Sequence, residues 1–459
     1  MLLAVGAASF TAPQLPAQTA IASSADIGSL RAALGEANEH AFANRVARAT
    51  ADGARSDVRL AWKSRLPALR VESGLTRTTD PVAAFGTTLR QGRATPEAFV
   101  PARLNDPAAA TNVGSGIVLE IPVLNADAPS GIRAANAISE SRAALSEWTA
   151  ATVQLNVVRT YFGAILASET VQTLESAERA ALAALRQTES MVRQGLVTKA
   201  DALLSDVHAA NVTSDLNAAR SALIAARQDL AFTLGRHDET RISSSSVLPS
   251  LERLRKLAAL DTLLRTGDSG ERIRSDLRAS MAGLDAAVAD RNRLERALMP
   301  RVNSFARYDW NSPSVPFGGK NSWTIGVVAS WSVFDGGATL AQIGSARARE
   351  AAARASLEAS VAQGDVDADK ARRAVVLQLT RLDLALRAER ASVEAARLLE
   401  LRYAGGLATI SELLDAQTRA THAQLGNAAA RFALIDAMAS LRLAIGADLS
   451  QLADLEEPR

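Results

Sequence analysis

The chain has no cysteine among its 459 residues, which removes a disulfide framework, a thiolate metal site, a cysteine nucleophile and a lipidated cysteine. Aromatic residues are scarce at 4%, and the 48% apolar share is carried largely by Ala and Leu, a balance that favours long, closely packed helices over one large globular core. Neither sign of charge dominates. With 51 basic against 49 acidic residues there is no overall basic field of the kind nucleic-acid binding needs. After the first residues, no segment approaches the roughly 18 uninterrupted apolar residues of a membrane helix. A chain of this kind crosses a bilayer as strands or not at all. Signs of chemistry are missing as well. The segment 365–369, DVDAD, opens like a calcium loop but has Lys370 in place of the sharp-turn glycine and Val376 in place of the closing glutamate. His40, His208, His237 and His422 have no ligand-like spacing, and no phosphate loop or nucleophile elbow occurs. The expectation is no catalytic residue, no cofactor and no metal site.

What is present is a repeat. Gly195-Leu196-Val197-Thr198 matches Gly406-Leu407-Ala408-Thr409, and FTLG at 232–235 matches LAIG at 443–446 with the same offset. Upstream, EIPVLN at 120–125 aligns with SWSVFD at 330–335, and Pro67 aligns with Pro300. Each half therefore reads short helix, proline, strand, loop, strand, long helix, glycine break, long helix. The expected divisions are a signal-like segment over 1–22, a first repeat over 23–235, an insert over 236–270, a second repeat over 271–446 and a tail over 447–459. The start, MLLAVGAASFTAPQLPAQTA, has an apolar stretch and small residues at Ala17 and Ala20 but no basic flank, so it fits either a secretory signal or a frayed tail.

The strand pairs are expected near 67–124 and 300–334. In SWTIGVVASWSVF, the positions Trp323, Ile325, Val327, Ala329, Trp331 and Val333 alternate with Thr324, Gly326, Ser330 and Ser332, a period of two with one apolar face. Ile117, Leu119, Ile121 and Val123 keep that pattern in the first half. The other two strands place arginines on one face and aromatics near their ends, as a barrel with a wet lumen does, although a half-exposed soluble sheet reads similarly. Residues 77–112 form a long connection carrying Pro, Asp and Gly, against a short one at 309–320.

Residues 131–194 and 338–404 are almost free of helix breakers, and at about 1.5 Å per residue each extends roughly 95 to 100 Å. Each is expected to fold back at its glycine into a second helix, 199–234 and 410–445, because only the antiparallel partner can bury its apolar stripe. The glycines fit plain helix C-caps equally well.

The doubled arrangement, with WSVFDGG leading into one long helix and RYAGGLATISELLDAQ at its turn, resembles the TolC family of outer-membrane efflux proteins over residues 26–447. The first half departs at VLNADAPSG, where the family shows an aromatic-Asp-Gly-Gly turn. The resemblance implies a mainly α fold with a membrane β-barrel: a homotrimer in which four strands per chain form a 12-stranded barrel in the outer membrane, and long antiparallel coiled-coil helical hairpins form an α-helical tunnel into the periplasm. It implies a passive exit duct working with a periplasmic adaptor and an inner-membrane transporter, in contact with outer-membrane lipid and not with nucleic acid. It places Tyr403, Glu412 and Asp415, with Asp201 as partner position, at a gate on the helical tips, and Gly195, Leu196, Gly405, Gly406 and Leu407 at the tips that meet the adaptor. The family's arginine near this tip falls on Ala408. On residues alone, Glu412 and Asp415 share a helical face that is either a ring of carboxylates in a trimer or a solvated surface. A periplasmic coiled-coil adaptor or scaffold without channel activity is the alternative.

Overall fold

The computed structural model describes residues 27–237, 247–263 and 274–455. The signal-like segment with residues 23–26, residues 238–246 and 264–270 of the insert with 271–273 after it, and 456–459 of the tail lie outside these. The chain begins with α1 (Leu30–His40) and α2 (Phe42–Ala61), followed by strand β1 (Ala68–Thr78). Next come α3 (Pro81–Arg90) and α4 (Pro101–Asn105), strand β2 (Ala110–Leu124), and the hairpin of α5 (Ala128–Arg193) and α6 (Lys199–Leu234). The second half has α7 (Leu251–Leu263), α8 (Ser275–Arg296), β3 (Arg301–Ser312), β4 (Lys320–Ser330), and the hairpin of α9 (Ala338–Ala404) and α10 (Ile410–Ile445).

The contacts define two compact units, and each half of the repeat contributes to both. One unit takes the described residues within Met1–Arg48, Ser146–Ser275 and Ala362–Arg459; the other takes Ala49–Leu145 and Asp276–Val361. In the second, the four strands form one antiparallel meander in the order β1-β2-β3-β4. Pairing Val71 with Ile117, Ile117 with Tyr308 and Tyr308 with Trp323 gathers Leu69, Val71, Leu75, Ile325 and Val327 on one face. The opposite face carries Arg70, Glu72, Glu120, Arg307 and Asp309, with Arg70 bonded to Glu120 at 2.9 Å and Arg307 to Asp309 at 2.7 Å. The apolar face is open: Leu69 and Ile325 are about 70% exposed.

Two expectations change here. The strand expected to run to 334 stops at Ser330, where it pairs with Arg301. Pro300 precedes that partner and has no N–H to extend the ladder, so Trp331 turns its indole Nε1 to the Leu298 carbonyl at 3.0 Å. The connection 77–112 is also not a plain loop. Asp80 caps α3 by accepting the Ala83 N–H at 2.7 Å, Pro81 sits in its first turn, and α4 follows.

The first unit holds the main core. Tyr161 and Phe162 on α5 pack edge to face at 5.5 Å and, with Leu30, Leu230, Leu234, Leu254, Leu434 and Met438, are fully buried. Burying side chains of this size contributes about 1.5–3 kcal/mol each. The tail joins this core through Leu449, Leu452 and Leu455, and Arg442, itself buried, donates to the Asp448 carbonyl at 2.8 Å and to Gln451 Oε1 at 2.9 Å. The insert is tied down as well just after residue 246: Glu169 of α5 accepts the Leu248 N–H at 2.9 Å and the Arg431 guanidinium at 2.8 Å, and Arg431 also donates to the Leu248 carbonyl at 3.3 Å.

Candidate functional site

The two hairpin turns are built from one local code. At the end of α5, the Gly195 N–H returns to the Val192 carbonyl at 2.9 Å and the Leu196 N–H to Met191 at 2.9 Å; at the end of α9, Gly406 returns to Tyr403 at 3.0 Å and Leu407 to Arg402 at 2.7 Å. This crossed pair of bonds is the Schellman closure, and it requires the left-handed backbone that Gly195 and Gly406 adopt at φ of +70° and +71°. Gly405, expected in the same role, keeps an ordinary φ and ends the helix beside the residue that turns it.

Three residues after Gly195 and Gly406, each return helix opens with a reciprocal cap. Thr198 accepts the Asp201 N–H at 3.3 Å while Asp201 accepts the Thr198 N–H at 2.9 Å; Thr409 and Glu412 repeat this at 3.3 and 2.8 Å. Two of the four expected gate residues are thus local structural caps in the single chain. The bonds from Thr409 hold the Glu412 carboxyl below the ordinary glutamate range. Because the folded value is lowered, its stabilisation of the tip is fully present above the ordinary glutamate pKa and is lost as pH falls through the lowered value. In a carboxyl chemical-shift titration of labelled glutamate, Glu412 is expected to titrate below the ordinary glutamate value, and Thr409→Val to move its midpoint upward; an unchanged midpoint would remove the threonine cap from the account.

The expected quartet does not meet at one point. Glu412 and Asp415 line one open groove between α6 and α10, together with Leu204, Ser411, Leu414 and Thr418. Asp415 pairs with Arg419 one turn on, at 2.7 Å, with both side chains exposed. Tyr403 is only 3% exposed and packs with Ile410, Leu413 and Ala184. Its hydroxyl bonds Thr188 Oγ1 at 3.1 Å, and Ser205 Oγ donates to the same Thr188 oxygen at 3.4 Å. Within the single chain, Tyr403 bonds Thr188 in the buried seam between the hairpins, and Asp201 is engaged with Thr198. Sequence reasoning missed Thr188 and Ser205, and it read Asp201 and Glu412 without their threonines, although T-x-x-D and T-x-x-E at 198–201 and 409–412 are cap signatures. Past the glycines, Leu196 and Leu407 stand 65% and 71% exposed, although the residue in this position of a Schellman turn often packs back on its own helix. Among the described residues no cluster of His, Asp and Glu could hold a metal ion.

Residues 272–447 match the family model described as Outer membrane efflux protein. The whole chain has the fold of the TolC-like outer-membrane channels. It superposes on VceC of Vibrio cholerae with a TM-score of 0.71 at 18% identity, over 92% of this chain and 96% of that one. On CmeC of Campylobacter jejuni the score is 0.73 at 14% identity, over 93% and 90%. On the open state of MtrE of Neisseria gonorrhoeae it is 0.72 at 18% identity, over 94% of both. No curated protein matches the chain by sequence. Each half of the chain contributes one strand pair and one helical hairpin, and the tip code described above closes both hairpins.

Proposed function

We propose that the protein is the outer-membrane exit duct of a tripartite efflux or secretion system, a homotrimer that conducts substrates passively from an inner-membrane transporter and a periplasmic adaptor to the exterior. One observation carries the reading. The sheet has an exposed apolar face, a charged opposite face, and two edge strands, β1 and β4, that pair on one side only. Open edges are untenable in lipid, and repeating four strands three times closes them into a 12-stranded barrel with its charges inward. Among the described residues no helix is long and apolar enough to cross a membrane, and in this reading the sheet is the spanning element.

The helical tips supply the contacts and the gate in this reading. Leu196 and Leu407 are rigidly presented apolar residues at the two turns, suited to meeting an adaptor. Glu412 and Asp415 face one groove, and three copies around an axis make carboxylate rings that favour cations. Tyr403 acts from inside the hairpins, setting their spacing through Thr188. The Glu412→Ala, Asp415→Ala double variant is expected to retain channels while losing cation preference, with permeability ratios moving toward unity in salt gradients; an unchanged ratio would place the filter elsewhere.

Fractionation tests the reading as a whole. The expected result is recovery from the outer membrane as a trimer in mild detergent; a soluble, monomeric periplasmic protein would favour the scaffold alternative.

A further inference from the structure

The two connections at the turn end of the sheet fold onto opposite faces. In the short one, residues 313–319, the Phe317 N–H reaches Ser115 Oγ at 3.1 Å and the Phe317 ring meets Trp310 at 5.7 Å. Ser115 and Trp310 are paired across β2 and β3 and share the apolar face with Ile117 and Tyr308. The long one, residues 79–109, goes the other way. Gln91 Nε2 donates to the Thr111 carbonyl at 2.8 Å and to Asn112 Oδ1 at 3.0 Å, and Asn112 Nδ2 passes the chain on to Asn311 Oδ1 at 2.9 Å. A Cβ placed on Gly92 would lie 3.6–4.0 Å from the Lys320 side chain. By register, Asn112, Asn311 and Lys320 stand on the polar face, in line with Glu72, Arg307 and Asp309.

This segment is built and not merely spanning. Adjacent antiparallel strands need only about two to five connecting residues. Here the extra chain folds into α3 and α4, with α3 capped by Asp80, Ala84 buried, and Phe85 packed edge to face on Phe99 at 5.3 Å. Ordering that much chain is costly, and the Gln91-Asn112-Asn311 amide chain anchors it on one face only.

We infer that residues 79–109 are a folded cap on the polar side of the sheet and form a constriction at the barrel mouth, additional to the helical tips, that limits the size of what leaves. The inference rests on the duct reading, in which the polar face lines the lumen. Three such caps, one per subunit, each tied by Gln91 to β2, narrow the mouth without touching the lipid-facing side.

The lack of native cysteine makes the placement testable in the intact protein. A Gly92→Cys, Lys320→Cys pair places two Cβ atoms 4.0 Å apart, inside the usual disulfide range of about 3.5–4.5 Å. Gly92 sits at φ +66°, so Gly92→Cys alone is the control for its strain. Oxidation in outer-membrane preparations is expected to give an intrachain disulfide, and a pair that stays reduced while the channel is intact would overturn the cap's position. Replacing 82–106 by a short glycine-serine turn is expected to raise single-channel conductance about twofold or more. Gln91→Ala, which frees the cap and leaves the strands untouched, should shift it in the same direction. Conductance unchanged in both variants would overturn the constriction. If the Gly92→Cys, Lys320→Cys variant forms its disulfide, reporting that sheet and cap have folded, while wild-type protein from the same preparation gives no channels, the duct reading falls and the constriction with it.

Discussion

Gly235→Ala is expected to destabilise the protein by about 3 kcal/mol or more, while Gly195→Ala, at nearly the same backbone angle, costs about 1–2 kcal/mol. Both glycines close a helix in the left-handed region, at φ +82° and +70°. Their surroundings differ. At Gly195 an added Cβ meets nothing within 4 Å, whereas at Gly235 it overlaps the His40 carbonyl, 2.7 Å from its carbon and 3.1 Å from the Ala41 nitrogen. These are backbone atoms at the joint between α1 and α2, so no side-chain rotation can relieve the clash. The helix end must move away from a joint that Arg236 also fastens through Glu36. Thermal melts of the two single variants in detergent check the expectation. Equal losses would mean that the backbone angle alone sets the cost and that the close approach at His40 is unimportant.

Arg431→Ala is expected to cost about 2–4 kcal/mol and to expose the segment after residue 246 to protease. Arg431 and Glu169 are mostly buried and hold the Leu248 backbone between them from both its N–H and its carbonyl. Removing the cation leaves a carboxylate largely shielded from water with one backbone N–H for company. The range is set below that of a fully buried pair because both groups keep some exposure, 21% and 16%. The Glu169→Gln, Arg431→Met double variant is expected to recover part of the loss, since it removes the stranded charge. If it proved as unstable as Arg431→Ala, packing by the arginine stem and not the ion pair would be the dominant contribution.

Much of this architecture was legible because it is written in local signals. The glycine breaks placed the second helices at 199–234 and 410–445, and the period-two alternation placed the apolar face of β4. The misreadings have local causes too. Trp331 and Val333 continue the alternation of β4, but pairing is decided by the partner strand, which Pro300 ends. The helices of residues 79–109 were announced by Asp80-Pro81 and by Pro101, since proline suits a first helical turn as readily as a loop. The site was less legible. Tyr403 and Thr188 are 215 positions apart, and only the register between two long hairpins brings them together. Glu412 carried two meanings that spacing could not separate: a cap for its own helix and a charge at the tip. The structure gives it the first role, and the second depends on symmetry-related copies.

Single-channel recording of the purified, detergent-extracted protein in a planar bilayer tests the central claim most directly. The account predicts discrete, long-lived channels that prefer cations, because the sheet presents a charged face that the proposed trimer would turn inward and Glu412 and Asp415 line one groove at the tip. A well-folded protein that forms no channel under any voltage or salt condition would contradict it.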